Sequence, residues 1–189
     1  RDTNPIAHRL IEQFGTLEAV LAAAPEQLAK VEGIGKQSAL FLNLVGQTGR
    51  RCRLAALDRE PVILSSTEAA GAYLLERFAG ERLEVAYQVC LDAKGKVLDC
   101  RRLTEGDASS AELPIRRVVE FALRYNASAV ILAHNHPSGL AVPSREDVLA
   151  TTQIESALRA IGVVLADHII VADGDFVSMA QNGTLRHRA

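Results

Sequence analysis

The stretch "ASAVILAHNHPSGLAVPSRED", residues 127–147, constrains the fold more than any other part of this 189-residue chain. Its first eight residues form an apolar run too short for a typical helix, and it reads as a buried strand. Pro-Ser-Gly then turns the chain. Ser144 opens a helical segment, "SREDVLATTQIESALRAIG", that stops near Gly162. The same alternation runs through the neighbouring sequence from about residue 62. "SSTEAAGAYLLERF" reads as a helix with a Ser65–Glu68 capping box, and "LEVAYQVCLD" as a strand. "AKGK" is a turn and "KVLDCRRLT" the returning strand. "LPIRRVVEFALRY" is a helix, and "VVLADHIIVAD" with "DFVSMA" makes a hairpin around Asp173-Gly174. Residues 62–189 are therefore expected to form one α/β (α+β) domain, a mixed sheet flanked by helices.

Residues 1–57 have a different texture, helical throughout. "NPIAHRLIEQF" offers Asn4 as N-cap and Pro5 at the first helical position. "TLEAVLAAA" and "PEQLAKV" follow as short helices, and "KQSALFLNLVGQTGRRCRLAAL" as a long one. "DREP", residues 58–61, breaks the pattern and is the expected linker. The apolar fraction of 48% is enough for a real core. A net charge of −2 and a pI of about 6.2 exclude a global basic field, so any nucleic-acid contact must be local. Aromatics at 4%, with no Trp, argue against a stacking platform for single strands. Cys52, Cys90 and Cys100 lack paired spacing and read as buried thiols in a reducing compartment. No apolar run approaches a membrane span and no signal peptide opens the chain, so a cytoplasmic protein with no membrane partner is expected. The start at Arg1, in polar sequence, suggests a trimmed N-terminus.

"VEGIGKQSALFL" joins two helices through Gly33-Ile34-Gly35, with Lys36 at the mouth. Glycines there allow the turn to aim free amide groups outward at a helix start, which favours an anion. From Val31 to Ala39 the stretch resembles the helix-hairpin-helix motif, h-x-G-h-G-x-x-x-A. That resemblance implies weak, nonspecific DNA binding through phosphates at Gly33, Ile34, Gly35 and Lys36. Seven basic and five acidic side chains over residues 1–57 give it little electrostatic help, although Arg50, Arg51 and Arg53 cluster at the far end of the long helix.

His134 and His136 alternate with Asn135 at a strand end, so both rings face one way. Asp147, in the first turn of the next helix, can reach back toward them. Ser-x-x-Asp at a helix start is also, more plainly, a variant capping box. Together the three make a His, His, Asp set, which leaves a fourth tetrahedral position for water. Two imidazoles and a carboxylate with no thiolate point to one Zn2+ per chain. Such an ion makes hydroxide available near neutral pH. Ser144 is placed to hydrogen-bond an oxyanion, while several carboxylates remain candidates for proton transfer.

H-x-H, seven residues, then S-x-x-D is the JAMM signature of MPN+ metallohydrolases. The fuller "HNHPSG…PSRED", with "DHIIV" some twenty residues later, resembles the bacterial RadC family over residues 62–189, and the helix-hairpin-helix before it matches that family's architecture. The resemblance implies an MPN/JAMM-type domain with a cytidine-deaminase-like core sheet. It implies His134, His136 and Asp147 as zinc ligands and Ser144 as oxyanion stabiliser. The family's glutamate lies at the start of an earlier strand. Matching "LEVAYQVCLD" to E-h-F-x-x-x-x-L-(N/D) puts it at Glu84, with Glu81 as competitor. Asp167 and His168 match the family's D-H pair and read either as a pair near the metal or, for His168, as a satisfied strand histidine. The chain departs from the family at "LPIRR", residues 113–117, where H-P-R-E is common, and at "TEGDASSAEL". These departures bear on substrate recognition or assembly.

A zinc deaminase would need H-x-E and P-C-x-x-C, both missing. The literal H-N-H string is no nuclease motif, since the residues that name that motif are dispersed over a larger unit. Three function classes remain: a zinc hydrolase cutting an amide or isopeptide bond in a protein or peptide; a DNA-processing protein of the repair type, with nuclease activity as one form; and a noncatalytic zinc-binding adaptor. A homodimer is an expected assembly, because MPN-like domains often pair.

Overall fold

The computed structural model describes residues 2–57, 61–81, 83–103 and 113–185. They divide into two units, Arg1–Glu60 with Ala79–Arg82, and Pro61–Phe78 with Leu83–Ala189. The sequence reading assigned Ala79–Arg82 to the second domain. The structure groups it with the first, where Glu81 pairs with Arg50 at 2.5 Å. Most of the expected linker, and residues 104–112 of the divergent stretch, lie outside the described residues.

The first unit contains α1 (Asn4–Phe14), α2 (Leu17–Ala22), α3 (Pro25–Leu28) and α4 (Lys36–Leu57). Thr3, not Asn4, occupies the N-cap of α1, and the Asn4 amide donates instead to the Asp2 carboxylate at 2.9 Å. Thr16 caps α2 by accepting from the Ala19 amide. Leu10, Val20, Ala23, Leu28, Val31 and Ala39 form a small core. Gly33 takes φ +91°, and a side chain there would press on Ile6 at about 2.9 Å, so the hairpin glycine serves both backbone angle and packing. Gly46 answers a different constraint. A Cβ at that position of α4 would fall on the backbone carbonyl of Leu21 in α2, well inside contact distance.

The second unit is a five-stranded sheet in the order β2-β1-β3-β4-β5. The strands are β1 (Ala86–Leu91), β2 (Val97–Arg102), β3 (Ala129–Asn135), β4 (Val164–Ala172) and β5 (Asp175–Ser178). β3 pairs antiparallel with β1 and parallel with β4, the latter through the crossover helix α7 (Arg145–Ala160). Both faces of β3 are covered, which explains its unbroken apolar run. On one face Val130 and Leu132 pack with Val118 and Ala122 of α6 (Ile115–Arg124) and with Ile154 and Leu158 of α7. On the other, Ile131 and Ala133 pack with Ala70, Tyr73 and Leu74 of α5 (Thr67–Phe78). The mixed sheet flanked by helices, after a helical first unit, is the expected fold class.

Local signals were met at the β4–β5 turn and missed at the start of α5 and at Cys52. Ser66 rather than Ser65 caps α5, accepting from the Ala69 amide at 3.1 Å, so Glu68 does not close the expected capping box. Asp173 (φ 46°) and Gly174 (φ 78°) form the β4–β5 turn, as the Asp-Gly pair requires. The three cysteines are free, but Cys52 is exposed rather than buried, because it lies on the solvent side of α4. Among the described residues, no helix is long and apolar enough to cross a membrane.

In an exposed helix, Gly→Ala gains roughly 1 kcal/mol. At Gly46 the carbonyl of Leu21 reverses that sign. Gly46→Ala is expected to destabilise the first unit by about 1–3 kcal/mol through overpacking, measured by amide exchange in α2 and α4.

Candidate metal centre

Strand register brings the histidines to one spot. Ala86 of β1 stands opposite His134, and the His136 amide continues the β3–β4 ladder to the Val171 carbonyl at 2.8 Å. The chain then turns through Gly139, at φ +85°, whose amide donates to the His136 carbonyl. This turn also fixes the second ring, because His136 Nδ1 lies 3.0 Å from the Leu140 carbonyl. A carbonyl only accepts, so Nδ1 carries the proton and Nε2 presents its lone pair.

Helix α7 supplies the carboxylate. Ser144 is its N-cap, and both arms of the capping box are made. The Ser144 amide donates to Asp147 Oδ2 at 2.7 Å, and the Asp147 amide donates to Ser144 Oγ at 3.1 Å. The plain capping reading and the ligand reading of Asp147 therefore hold at once. While Oδ2 is held by the cap, Oδ1 lies 3.1 Å from His134 Nε2. His136 Nε2 is 3.5 Å from Asp147 Oδ2 and 2.9 Å from His134 Nε2. His134, His136 and Asp147 thus form a group able to hold a metal ion, with one donor atom from each within 4.8 Å of the others.

The surroundings favour the charged carboxylate. Burial alone would raise the Asp147 pKa. The hydrogen bond and charge of His134, with the Ser144 hydroxyl and amide, outweigh burial and hold it well below the usual carboxylate range. Behind His134 lies His168, fully buried, its Nε2 2.8 Å from His134 Nδ1. Burial, then the neighbouring His134, push the His168 pKa down to about 3, so the ring is neutral. Its Nδ1 is 2.6 Å from Thr151 Oγ1.

The residues singled out from sequence separate clearly in space. Asp167 turns away from the group, although the D-H reading expected it beside the metal. A β-bulge in the β3–β4 pairing precedes it, and its carboxylate accepts from the His168 and Ala180 amides and from Ser178 Oγ at 2.5 Å. It therefore anchors the end of β5. Glu81 is committed to Arg50 in the first unit. Glu84 is half-buried and lies two residues before β1, not within it. Its two neighbours, Leu83 and Val85, both bond to the Asn135 side chain, so the Glu84 segment runs beside the carboxyl end of β3. In the hairpin, Lys36 is exposed at the first position of α4, and a side chain at Gly35 would meet open space. Arg50, one of the expected basic cluster, carries the ion pair to Glu81.

Two contributors escaped the sequence reading. Strand alternation predicts only that Asn135 faces away from the two rings. Its side chain extends the β1–β3 ladder: Oδ1 accepts from the Val85 amide at 2.8 Å, and Nδ2 donates to the Leu83 carbonyl at 3.0 Å. The amide thus clamps both neighbours of Glu84. Thr151 follows Asp147 by one helical turn, a spacing visible in the sequence, but its partner His168 lies across a crossover.

A family model for the RadC-like JAB domain matches residues 64–184. The chain belongs to the RadC family. The RadC domain is preceded at residues 6–40 by a match to a SAM-like tandem helix-hairpin-helix. The UPF0758 protein IL0240 of Idiomarina loihiensis is 37% identical over 185 residues, covering 98% of this chain and 82% of that protein. The His134, His136 and Asp147 group lies inside the matched RadC-like JAB segment.

Asn135→Ala leaves the buried Val85 amide and the part-buried Leu83 carbonyl without their partner and is expected to cost about 1–3 kcal/mol. Exchange protection of the Val85 amide should fall further than that of Val89 in the same strand. Equal losses at both amides would contradict a local clamp.

Proposed function

We propose that this chain is a zinc-dependent hydrolase of the JAMM type that cleaves an amide or isopeptide bond in a protein or peptide. The observation that carries this reading is the approach of two imidazole Nε2 atoms to 2.9 Å beside a carboxylate oxygen at 3.1 Å. With His136 Nδ1 donating to Leu140, such an approach is favourable only if a cation or proton lies among the donors. Two imidazoles and a carboxylate suit zinc, and three protein ligands are the number found in catalytic zinc sites. His134, His136 and Asp147 would hold one ion per chain. Bound there, zinc would supply a Lewis acid for the scissile carbonyl and a water acidified toward roughly pH 7.

The remaining chemistry belongs to side chains. Glu84, whose segment is tied to the end of β3 by Asn135, would take a proton from the attacking water and deliver it to the leaving nitrogen. Ser144 Oγ accepts from the Asp147 amide through a lone pair, which leaves its hydroxyl hydrogen for the oxyanion of the tetrahedral intermediate. Asn135 would keep the Glu84 segment in register with His136.

A second reading concerns delivery. The tandem helix-hairpin-helix match, with the unobstructed Gly35 and exposed Lys36 at the start of α4, favours weak DNA binding through phosphates. The two readings are compatible in one chain, since they use different units.

Metal analysis is expected to find one zinc per chain in the wild type and none in His136→Ala. Glu84→Gln should keep the zinc and lose about 10²–10⁴-fold in kcat on an unstructured protein substrate. Retention of activity in that variant would remove Glu84 from proton transfer. For the hairpin, Lys36→Ala should weaken DNA binding uniformly across sequences and reduce the salt slope by about 1. A sequence-dependent loss would point to base contacts instead.

A further inference from the structure

The hydrogen bonds behind His134 have a direction. It starts at the Asp147 backbone carbonyl, which can only accept. Thr151 Oγ1 lies 2.6 Å from that carbonyl, so the single hydroxyl hydrogen points there. The same oxygen lies 2.6 Å from His168 Nδ1. With its hydrogen already directed at Asp147, the hydroxyl must accept, and His168 Nδ1 carries a proton. His168 is buried at 0% exposure, away from any carboxylate contact, which favours a single N–H on that ring. His168 Nε2 is therefore bare and accepts from His134 Nδ1 at 2.8 Å. With Nδ1 committed to His168, Nε2 is the position of His134 open to a ligand, facing Asp147 Oδ1 at 3.1 Å.

We infer that Thr151 and His168 are positioning residues, forming a one-way hydrogen-bond relay that keeps the proton of His134 on Nδ1 and its Nε2 lone pair turned into the ligand group. The inference rests on the reading of His134 as a metal ligand for its consequence, though not for its geometry. Without the Thr151 hydroxyl, His168 is free to carry its proton on Nε2. It would then donate to His134 Nδ1, and His134 would hold its own proton on Nε2, where it blocks ligation. One hydroxyl, on the same helix as Asp147, thereby decides whether a ring on the neighbouring strand can bind. The relay begins at the Asp147 backbone carbonyl and ends at His134, whose Nε2 lies beside the Asp147 carboxylate, so α7, β4 and β3 meet at one place.

The test reads ring protons directly. Long-range ¹H–¹⁵N correlation spectra of the metal-free full chain should show both His134 and His168 as Nδ1–H tautomers. Thr151→Val should shift both toward Nε2–H, and Thr151→Ser, which retains the hydroxyl, should restore the wild-type pattern. Zinc alone, titrated against a chromophoric chelator, should bind Thr151→Val about 10–100-fold more weakly than wild type, and Thr151→Ser within about threefold of it. An Nε2–H tautomer at His134 in the wild type overturns the relay. So do unchanged tautomers and unchanged affinity in Thr151→Val. If the tautomers are as expected and the wild type binds no zinc, the relay stands and the metalloenzyme reading falls. If Thr151→Val fails to fold, the wild-type and Thr151→Ser spectra decide the matter.

Discussion

Two imidazole nitrogens 2.9 Å apart, with the oxygens of one carboxylate 3.1 and 3.5 Å from them, are the constraint around which the second unit is organised. Like partial charges repel at such range, and in a site removed from water the repulsion is stronger. Something must hold the three donors together. The backbone does so from two sides: a strand end whose ladder runs past His134 to His136, and a helix start whose cap grips Asp147. Both supports are rigid elements rather than loops. Converging donors can then be kept in place before any ion arrives.

The sheet explains why the site lies where it does. β3 is flanked by β1 and β4 and covered on both faces, so its direction is fixed by packing well away from the histidines. Its carboxyl end is where the chain leaves the sheet for the crossover helix, the usual location of sites in sheets of this kind. The glutamate segment enters at the same place from the antiparallel partner β1. Asn135 prolongs that pairing with a side-chain amide where the regular ladder has ended. The literal H-N-H string thus contains two ring donors and a structural clamp.

How much was legible in the sequence followed sequence distance. His134, His136 and Asp147 were readable because one strand end and one helix start carry all three within fourteen positions. The Ser144 cap was readable for the same reason. Glu84 is fifty residues upstream of His134 and carries no local signal, so only the family resemblance singled it out. The Asn135 clamp and the Thr151–His168 contact each join distant segments, and no periodicity announces them. Asp167 failed in the opposite way. It adjoins His168 in sequence, but a bulge in the β3–β4 pairing and the demands of the β5 end direct it elsewhere. Neighbouring cap-competent residues, Ser65 beside Ser66 and Thr3 beside Asn4, left helix starts uncertain by one position, since local chemistry suits either.

The capping box at α7 has a consequence for metal choice. Asp147 serves the helix with one oxygen and faces His134 with the other, so its short side chain has no freedom left to rotate. To an ion held by this group, a carboxylate so engaged would offer Oδ1 freely and Oδ2 only in competition with the Ser144 amide. That would be a poor match for large ions that favour both oxygens at once and flexible donors. The cap that steadies the helix would then also bear on which metals can enter.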